Sequence, residues 1–215
     1  MEIAAIIPAY NEERTIAQVV NVVKKHHLID TTIVVSDGST DETANVAREQ
    51  EVKVIELEDN IGKGGAMKVG VDSTKAELIL FLDADLVGLT EKHINSLLRP
   101  LIEEDVDMTI GLFAKGRVAT DLAQKIAPFL SGQRGVKRKI LQDISNLDMT
   151  RFGVEVALTQ YVKENEVQIK EVVLEDLTHV MKEEKLGFLK GFKARMKMYW
   201  EVLKNIPNRK KNKID

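Results

Sequence analysis

The sequence predicts an α/β fold, a mostly parallel sheet flanked by helices, followed by a basic amphipathic helical tail. Two observations predict the sheet. Apolar runs of strand length alternate with stretches whose apolar residues recur at helical spacing, the pattern of parallel strands joined by crossover helices. One run, Leu78-Ile79-Leu80-Phe81-Leu82, is apolar throughout, as a strand buried on both faces must be. A third observation predicts the tail: from Lys182 to Lys213, eleven Lys or Arg stand against three Glu around an apolar stripe.

The elements follow in order. Ile3 to Ile7 is a buried strand closed by Pro8 and a loop. Ile16, Val19, Val20 and Val23 make one face of a helix between Glu13 and Val23. Thr31 to Val35 is a β-branched strand ending in Ser36-Asp37-Gly38-Ser39. Ser39 and Glu42 have capping-box spacing, which predicts a helix from there through about Glu49. Val52 to Leu57 is a third strand, and Gly62 to Ser73 a glycine-rich turn and helix. After the Leu78 strand, Ile94, Leu97, Leu98 and Leu101 mark a helix over Thr90 to Ile102, and Met108 to Phe113 a strand. Leu122 to Ile140 is expected to be helical, broken near Pro128 and Gly132. Gly153 to Lys163 is a short helix, and Val167, Ile169, Val172 and Leu174 mark a last strand. Neither an internal repeat nor a low-complexity linker interrupts this, so residues 1–181 are expected to form one domain and residues 182–215 a separable tail.

Composition bounds the function. The chain has 215 residues, 44% of them apolar, enough for a sizeable core. A net charge of -3 gives no global pull toward nucleic acid, and the absence of cysteine removes disulfides and thiolate metal sites. The amino-terminal apolar run is too short for a signal peptide, and no run of 18 apolar residues occurs. The expectation is a soluble, cytoplasmic protein.

Three strand ends carry polar clusters: Pro8-Ala9-Tyr10-Asn11-Glu12-Glu13, Asp37-Gly38-Ser39-Thr40-Asp41 and Asp83-Ala84-Asp85. In a parallel sheet these ends share one edge, where open α/β folds bind ligands. Asp83 and Asp85, two residues apart, can converge on one point and suit a hard divalent cation that holds phosphate oxygens. The competing reading is an acidic, solvated turn. Tyr10 offers a ring face to a base, and Asp37 an acceptor for a base edge. Asn60-Ile61-Gly62-Lys63-Gly64-Gly65 brings a cation and free amides to a helix start, a place for phosphate. Each alone can equally be a turn, a cap or a surface lysine; their shared edge favours a site. The glycines make neither a Walker loop nor a dinucleotide fingerprint.

These four segments, in order, resemble the motifs of family 2 glycosyltransferases with the GT-A fold, a Rossmann-like sheet. The resemblance covers roughly the first half of the chain. It implies a nucleotide-diphosphate-sugar donor, with UDP-sugar favoured. Pro8, Tyr10, Glu12 and Asp37 would surround the nucleoside, Lys63 would approach it or the phosphates, and Asp85 would bind Mn²⁺ or Mg²⁺ with Asp83 nearby. The second half is similar, more loosely, to polyprenyl-phosphate glycosyltransferases and glucosyl-3-phosphoglycerate synthases. Ser131-Gly132-Gln133-Arg134 and Arg151-Phe152-Gly153-Val154-Glu155 look like their acceptor-side segments. That implies a phosphorylated or lipid-phosphate acceptor, with Arg134 and Arg151 as candidates to hold its phosphate; the competing reading of the two arginines is surface solvation. Glu155 is then a catalytic carboxylate or an acceptor-binding group; the alternative is a glutamate favoured by a helix start. The resemblance also places His179 as a further metal ligand, whereas His26, His27 and His93 read as helix surface.

In the tail, Phe188, Leu189, Phe192, Met196, Tyr199, Trp200 and Leu203 form a helical stripe with lysines interleaved. Such a helix lies on an anionic membrane surface or packs its stripe on the domain. The first option would put the protein at the inner face of the membrane. Whether it forms a homo-oligomer stays open. Two rival functions remain: a sugar-1-phosphate nucleotidylyltransferase, which would need a glycine- and arginine-rich loop where Pro8 to Arg14 stands, and a non-catalytic nucleotide-sugar binding protein.

Overall fold

The computed structural model describes residues 1–114, 131–144, 158, 161–162 and 164–179. Chain contacts divide the protein into two units, Met1–His179 and Val180–Asp215. The first holds a seven-stranded sheet in the order β3-β2-β1-β4-β7-β6-β8. Its strands are β1 (Ile3–Ala9), β2 (Thr31–Asp37), β3 (Lys53–Leu57), β4 (Leu78–Phe81), β6 (Met108–Phe113), β7 (Arg134–Lys137) and β8 (Ile169–Leu174). A two-stranded ribbon pairs β5 (Leu86–Val87) with β9 (Thr178–His179). Only β7 runs against its sheet neighbours.

Strand alternation sorts the core into two layers. Ile3, Ala5, Ile7, Leu78, Leu80 and Leu82 face α1 (Ile16–Lys24) and α4 (Glu91–Glu103). Ala4, Ile6, Ile33, Val35, Ile79 and Phe81 face the other way, onto α3 (Lys63–Asp72) and α5 (Arg138–Ile144). The four residues of β4 are all buried, as its unbroken apolar run requires. The glycines of α3 serve close approach: a β-carbon on Gly70 would stand 2.4 Å from Ile6 Cγ2. Helix α2 (Thr43–Arg48) completes the outer layer.

Several elements differ from the sequence expectation. Pro8 does not close β1 but lies within it, opposite Val35 of β2. The Ile6 carbonyl points toward β4, where it accepts from Leu82 N. Pro8, two residues on, points the same way, beyond the last β1–β4 pair at Ile6 and Phe81. Its missing N–H therefore costs no ladder bond. The Ser39 capping box is not formed. Ser39 Oγ instead takes the Asn11 amide at 3.2 Å, and Asp41 Oδ1 accepts from Thr43 N at 3.0 Å, so α2 starts later, at Thr43.

The largest difference is at residues 131–140, expected to be helical. Ser131 to Gln133 is a loop, and Arg134–Lys137 is the strand that fills the gap between β4 and β6. Tertiary pairing overrides a helical apolar spacing here. Gly135 is needed where β7 crosses α4, since a β-carbon would meet Thr109 Oγ1 at 2.7 Å and the Leu97 carbonyl at 2.9 Å. His26 and His93 are buried rather than on helix surfaces. His93 Nδ1 accepts from Thr90 N at 3.2 Å, and its Nε2 bonds the Glu175 carbonyl at 2.8 Å. That contact ties the start of α4 to the turn that leads into β9. The tail and residues 151–157 lie outside the described residues. Among the described residues no helix is long and apolar enough to cross a membrane.

Candidate donor and metal site

The carboxyl ends of β1, β2 and β4 reach one edge, and β7, being antiparallel, brings its beginning to the same edge through the Phe81–Arg134 pair. The polar loops are stitched together there. Asn11, at φ 55°, accepts the Thr40 amide on its side-chain oxygen at 2.8 Å. Glu12 donates its amide to Thr43 Oγ1 at 2.7 Å, and its carbonyl accepts from Thr15 N and Ile16 N at the start of α1. These bonds hold the Tyr10 loop against the Gly38 turn. Tyr10 itself is 48% exposed. Asp37 is 3% exposed, and its Oδ1 accepts from Ile61 N at 2.8 Å, which joins the β2 end to the loop before α3. Gly38, at φ +65°, is where these loops touch: a β-carbon would stand 2.5 Å from Asn60 N.

Beyond β4, Asp83 and Asp85 converge through a turn at Ala84 and Asp85 rather than by strand alternation. One ligand atom each from Asp83, Asp85 and His179 lie within 4.8 Å of one another. The ribbon sets this spacing, because His179 stands opposite Leu86 in the β5–β9 register. His179 Nδ1 is 3.8 Å from Asp85 Oδ1, and the imidazole rests against the Phe113 ring with centroids 4.4 Å apart. The Asp85 carboxylate and the His179 imidazole, with the Asp83 carboxylate beside them, are groups that suit Mn²⁺ or Mg²⁺, the imidazole leaning toward Mn²⁺.

The two carboxylates are not equivalent. Asp83 Oδ1 pairs with Lys63 Nζ at 2.6 Å, and Asp83 Oδ2 accepts from Gln133 Nε2 at 2.8 Å. Burial pushes the Asp83 carboxyl up, but the Lys63 charge, its hydrogen bond and that from Gln133 outweigh burial. The group is held below the ordinary carboxylate range. The edge thus carries a neutralised Lys63–Asp83 pair beside an Asp85–His179 pair.

Pro8, Tyr10, Glu12, Asp37, Asp83, Asp85 and His179 belong to the loops and strand ends of this edge, and Lys63 is the first residue of α3 beside them. Arg134 differs from the picture of an exposed acceptor clamp. It is fully buried, and its Nε donates to the Ser131 carbonyl at 2.8 Å, so it underlies the 131–133 loop. Arg151 and Glu155 lie outside the described residues. Sequence reasoning missed the individual parts of Gln133, Phe113 and the Ile61 amide. A polar Ser-Gly-Gln between apolar stretches was a signal for the first; a ring or a backbone amide leaves none.

Known proteins resemble this chain in sequence and in fold. The family described as Glycosyl transferase family 2 matches residues 4–156, and the chain belongs to that family. It is 38% identical over 100 residues to a dolichyl-phosphate beta-glucosyltransferase of Mus musculus, covering 39% of this chain and 31% of that protein. It is 33% identical over 112 residues to the glucosyl-3-phosphoglycerate synthase of Mycolicibacterium smegmatis, covering 48% of this chain and 37% of that protein. The matched stretches thus span less than half of these relatives. Among solved structures, the glucosyl-3-phosphoglycerate synthase of Mycobacterium tuberculosis in complex with Mn²⁺ and UDP-glucose superposes with a TM-score of 0.77. The identity is 25%, over 94% of this chain and 77% of that one.

Proposed function

We propose that this chain is a metal-dependent glycosyltransferase that moves a sugar from a nucleotide-diphosphate-sugar, a UDP-sugar in the favoured case, to a phosphorylated or lipid-phosphate acceptor. The observation that carries the reading is the convergence of Asp83, Asp85 and His179 within 4.8 Å at the carboxyl edge, beside Lys63. Family membership and the likeness to a structure holding Mn²⁺ and UDP-glucose support it. The acceptor class rests on the relatives, which are named for dolichyl phosphate and phosphoglycerate.

Asp85 and His179 would hold the cation. When bound, it would supply Lewis-acid stabilisation of the departing nucleoside diphosphate. Lys63, held by Asp83, would offer the phosphates a preoriented ammonium hydrogen-bond donor that needs no reorganisation. Tyr10 presents its ring to the base, and Asp37, pinned by the Ile61 amide, presents its remaining acceptor capacity to the base edge. Pro8 and Glu12 shape the wall between them. Glu155 is assigned as the acceptor-side carboxylate and Arg151 as a phosphate partner. Arg134 contributes by supporting the 131–133 loop from beneath.

The test is a thermal-shift panel of UDP, GDP, CDP and ATP, each with and without Mn²⁺, on wild type and Asp85→Ala. At a hundredfold excess over Kd, binding adds about 2.7 kcal/mol, and for a domain this size that is roughly 5 to 10 °C in Tm. The expected result is such a rise with UDP only when both Mn²⁺ and Asp85 are present. A rise that ignores Asp85 sinks the metal assignment. A response to ATP alone favours a nucleotidylyltransferase, and diphosphate binding without sugar transfer favours a non-catalytic binding protein.

A further inference from the structure

Gln133 is fully buried in the loop just before β7, at the edge that holds the donor site. Its backbone is fixed twice: Gln133 N donates to Ser131 Oγ at 3.2 Å, and the Gln133 carbonyl accepts from Gly111 N at 2.8 Å. Ser131 Oγ donates to the Gly111 carbonyl at 2.6 Å and stands 3.2 Å from Gln133 Oε1. The orientation of the amide follows from its partner. A carboxylate only accepts, so the nitrogen of Gln133 must face Asp83. It does so at 2.8 Å.

Gly132 closes the arrangement from above. A β-carbon at Gly132 would lie 2.5 Å from both Asp83 Oδ1 and Lys63 Nζ, and 2.6 Å from Asp83 Oδ2. The loop backbone therefore rests directly on the ion pair, and both Asp83 oxygens are engaged, one by Lys63 and one by Gln133. Asp83 is also within 4.8 Å of the ligand atoms of Asp85 and His179. A turn of its side chain would carry it from the lysine to the cation.

We propose that Gln133 is a positioning residue of the donor site: by its hydrogen bond to Asp83 it keeps that carboxylate on Lys63, which stays aligned for the donor's diphosphate, and leaves the cation to Asp85 and His179. The proposal rests on the donor-site reading above. Gln133 acts through Asp83 and need not touch the substrate. Without it, Asp83 would be able to turn toward the cation, weakening its ion pair with Lys63.

A double-mutant cycle tests this. Gln133→Met, Asp83→Ala and the double variant are compared with wild type for UDP affinity in saturating Mn²⁺, by calorimetry, and for Tm without ligand. A hydrogen bond to a charged group is worth about tenfold or more in affinity. Gln133→Met should weaken UDP about tenfold, and adding it to Asp83→Ala should cost nothing further. Wild-type UDP affinity in Gln133→Met, or losses that multiply in the double variant, overturns the proposal. A residue that merely supports the fold would lower the ligand-free Tm and leave affinity unchanged. Should Gln133→Met fail to fold, Ser131→Ala loosens the same amide from behind, with a smaller loss expected that also vanishes in the Asp83→Ala background. A wild-type chain that binds no nucleoside diphosphate overturns the donor-site reading itself, which additive losses on a binding-competent wild type do not.

Discussion

Asp83 shows how one residue's chemistry is set by its neighbours rather than by its type. The two carboxylates of Asp83-Ala84-Asp85 are interchangeable in sequence, yet one is paired with a lysine and an amide while the other faces an imidazole. The family resemblance separates them in part, setting Asp85 and His179 on the cation with Asp83 nearby; the pairing of Asp83 with Lys63 and Gln133 was not legible, because those residues lie 20 and 50 positions away along the chain. The residue types at the edge were legible, since strand ends in a parallel sheet collect on one side whatever the loops do. Gly132 gives the sharpest prediction at this scale. A methyl group there would push aside the ends of the Asp83 and Lys63 side chains, whose atoms stand 2.5 Å from where it would sit. Gly132→Ala should lower stability by about 1 to 3 kcal/mol, the usual cost of overpacking. It should also displace the ion pair and weaken Mn²⁺-dependent UDP binding. Urea denaturation beside calorimetry checks both. A variant with unchanged affinity would show that the loop over the pair is irrelevant to the donor.

Strand β7 is the element that sequence periodicity misassigned. Ile140, Leu141 and Ile144 do lie on a helix, α5, but that helix begins only at Arg138, after four residues of strand. Those four are too few to show alternation, and the need for them comes from β4 and β6, whose pairs Ile79–Val136 and Met108–Val136 are 57 and 28 residues apart along the chain. The parallel half was easier to read, because each of its strands is followed by its own helix. The far end of β7 is anchored by Asp107, whose Oδ1 takes Lys139 at 2.7 Å and Lys137 at 3.3 Å. Its Oδ2 accepts from Gln168 N at 3.4 Å, at the entry to β8. Burial pushes this carboxyl up, but the bonds from Lys139, Gln168 and Lys137 outweigh it and hold it below the ordinary range. Such a group contributes stability above its unfolded pKa, and that contribution is lost as pH falls through the lower, folded value. Asp107→Asn should therefore cost about 1 to 3 kcal/mol at neutral pH, the usual penalty for a broken charged hydrogen bond at a buried position. The gap between variant and wild type should begin to narrow below about pH 4, where ordinary carboxylates protonate, and close only below the depressed folded value, so the denaturation series is carried down past that point. A gap that persists in acid would mean packing, not charge, is what Asp107 supplies.

At the scale of the whole molecule, the acidic net charge of the chain conceals a strong asymmetry. The tail from Lys182 to Lys213 carries eleven basic residues against three acidic ones, in a chain whose total is -3. The rest of the protein is therefore markedly acidic, and it includes the edge proposed to bind a diphosphate. An anionic membrane would repel that part and attract the tail, which holds Trp200 and Tyr199 beside its lysines. We expect the 215-residue chain to cosediment with vesicles of phosphatidylglycerol and phosphatidylcholine but not with phosphatidylcholine alone. Each lysine near such a surface is worth about 1 kcal/mol, an attraction that falls off within a Debye length. Binding should accordingly fade between roughly 0.1 and 1 M salt, as that length shrinks from about 10 to 3 Å. A chain stopped after Met181 should stay in the supernatant and, if the donor site lies within Met1–His179, keep its Mn²⁺-dependent response to UDP. Equal sedimentation of the two chains would move the membrane contact out of the tail. Indifference of the full chain to anionic lipid would instead favour an apolar stripe packed on protein, and with it a water-soluble phosphorylated acceptor over a lipid one.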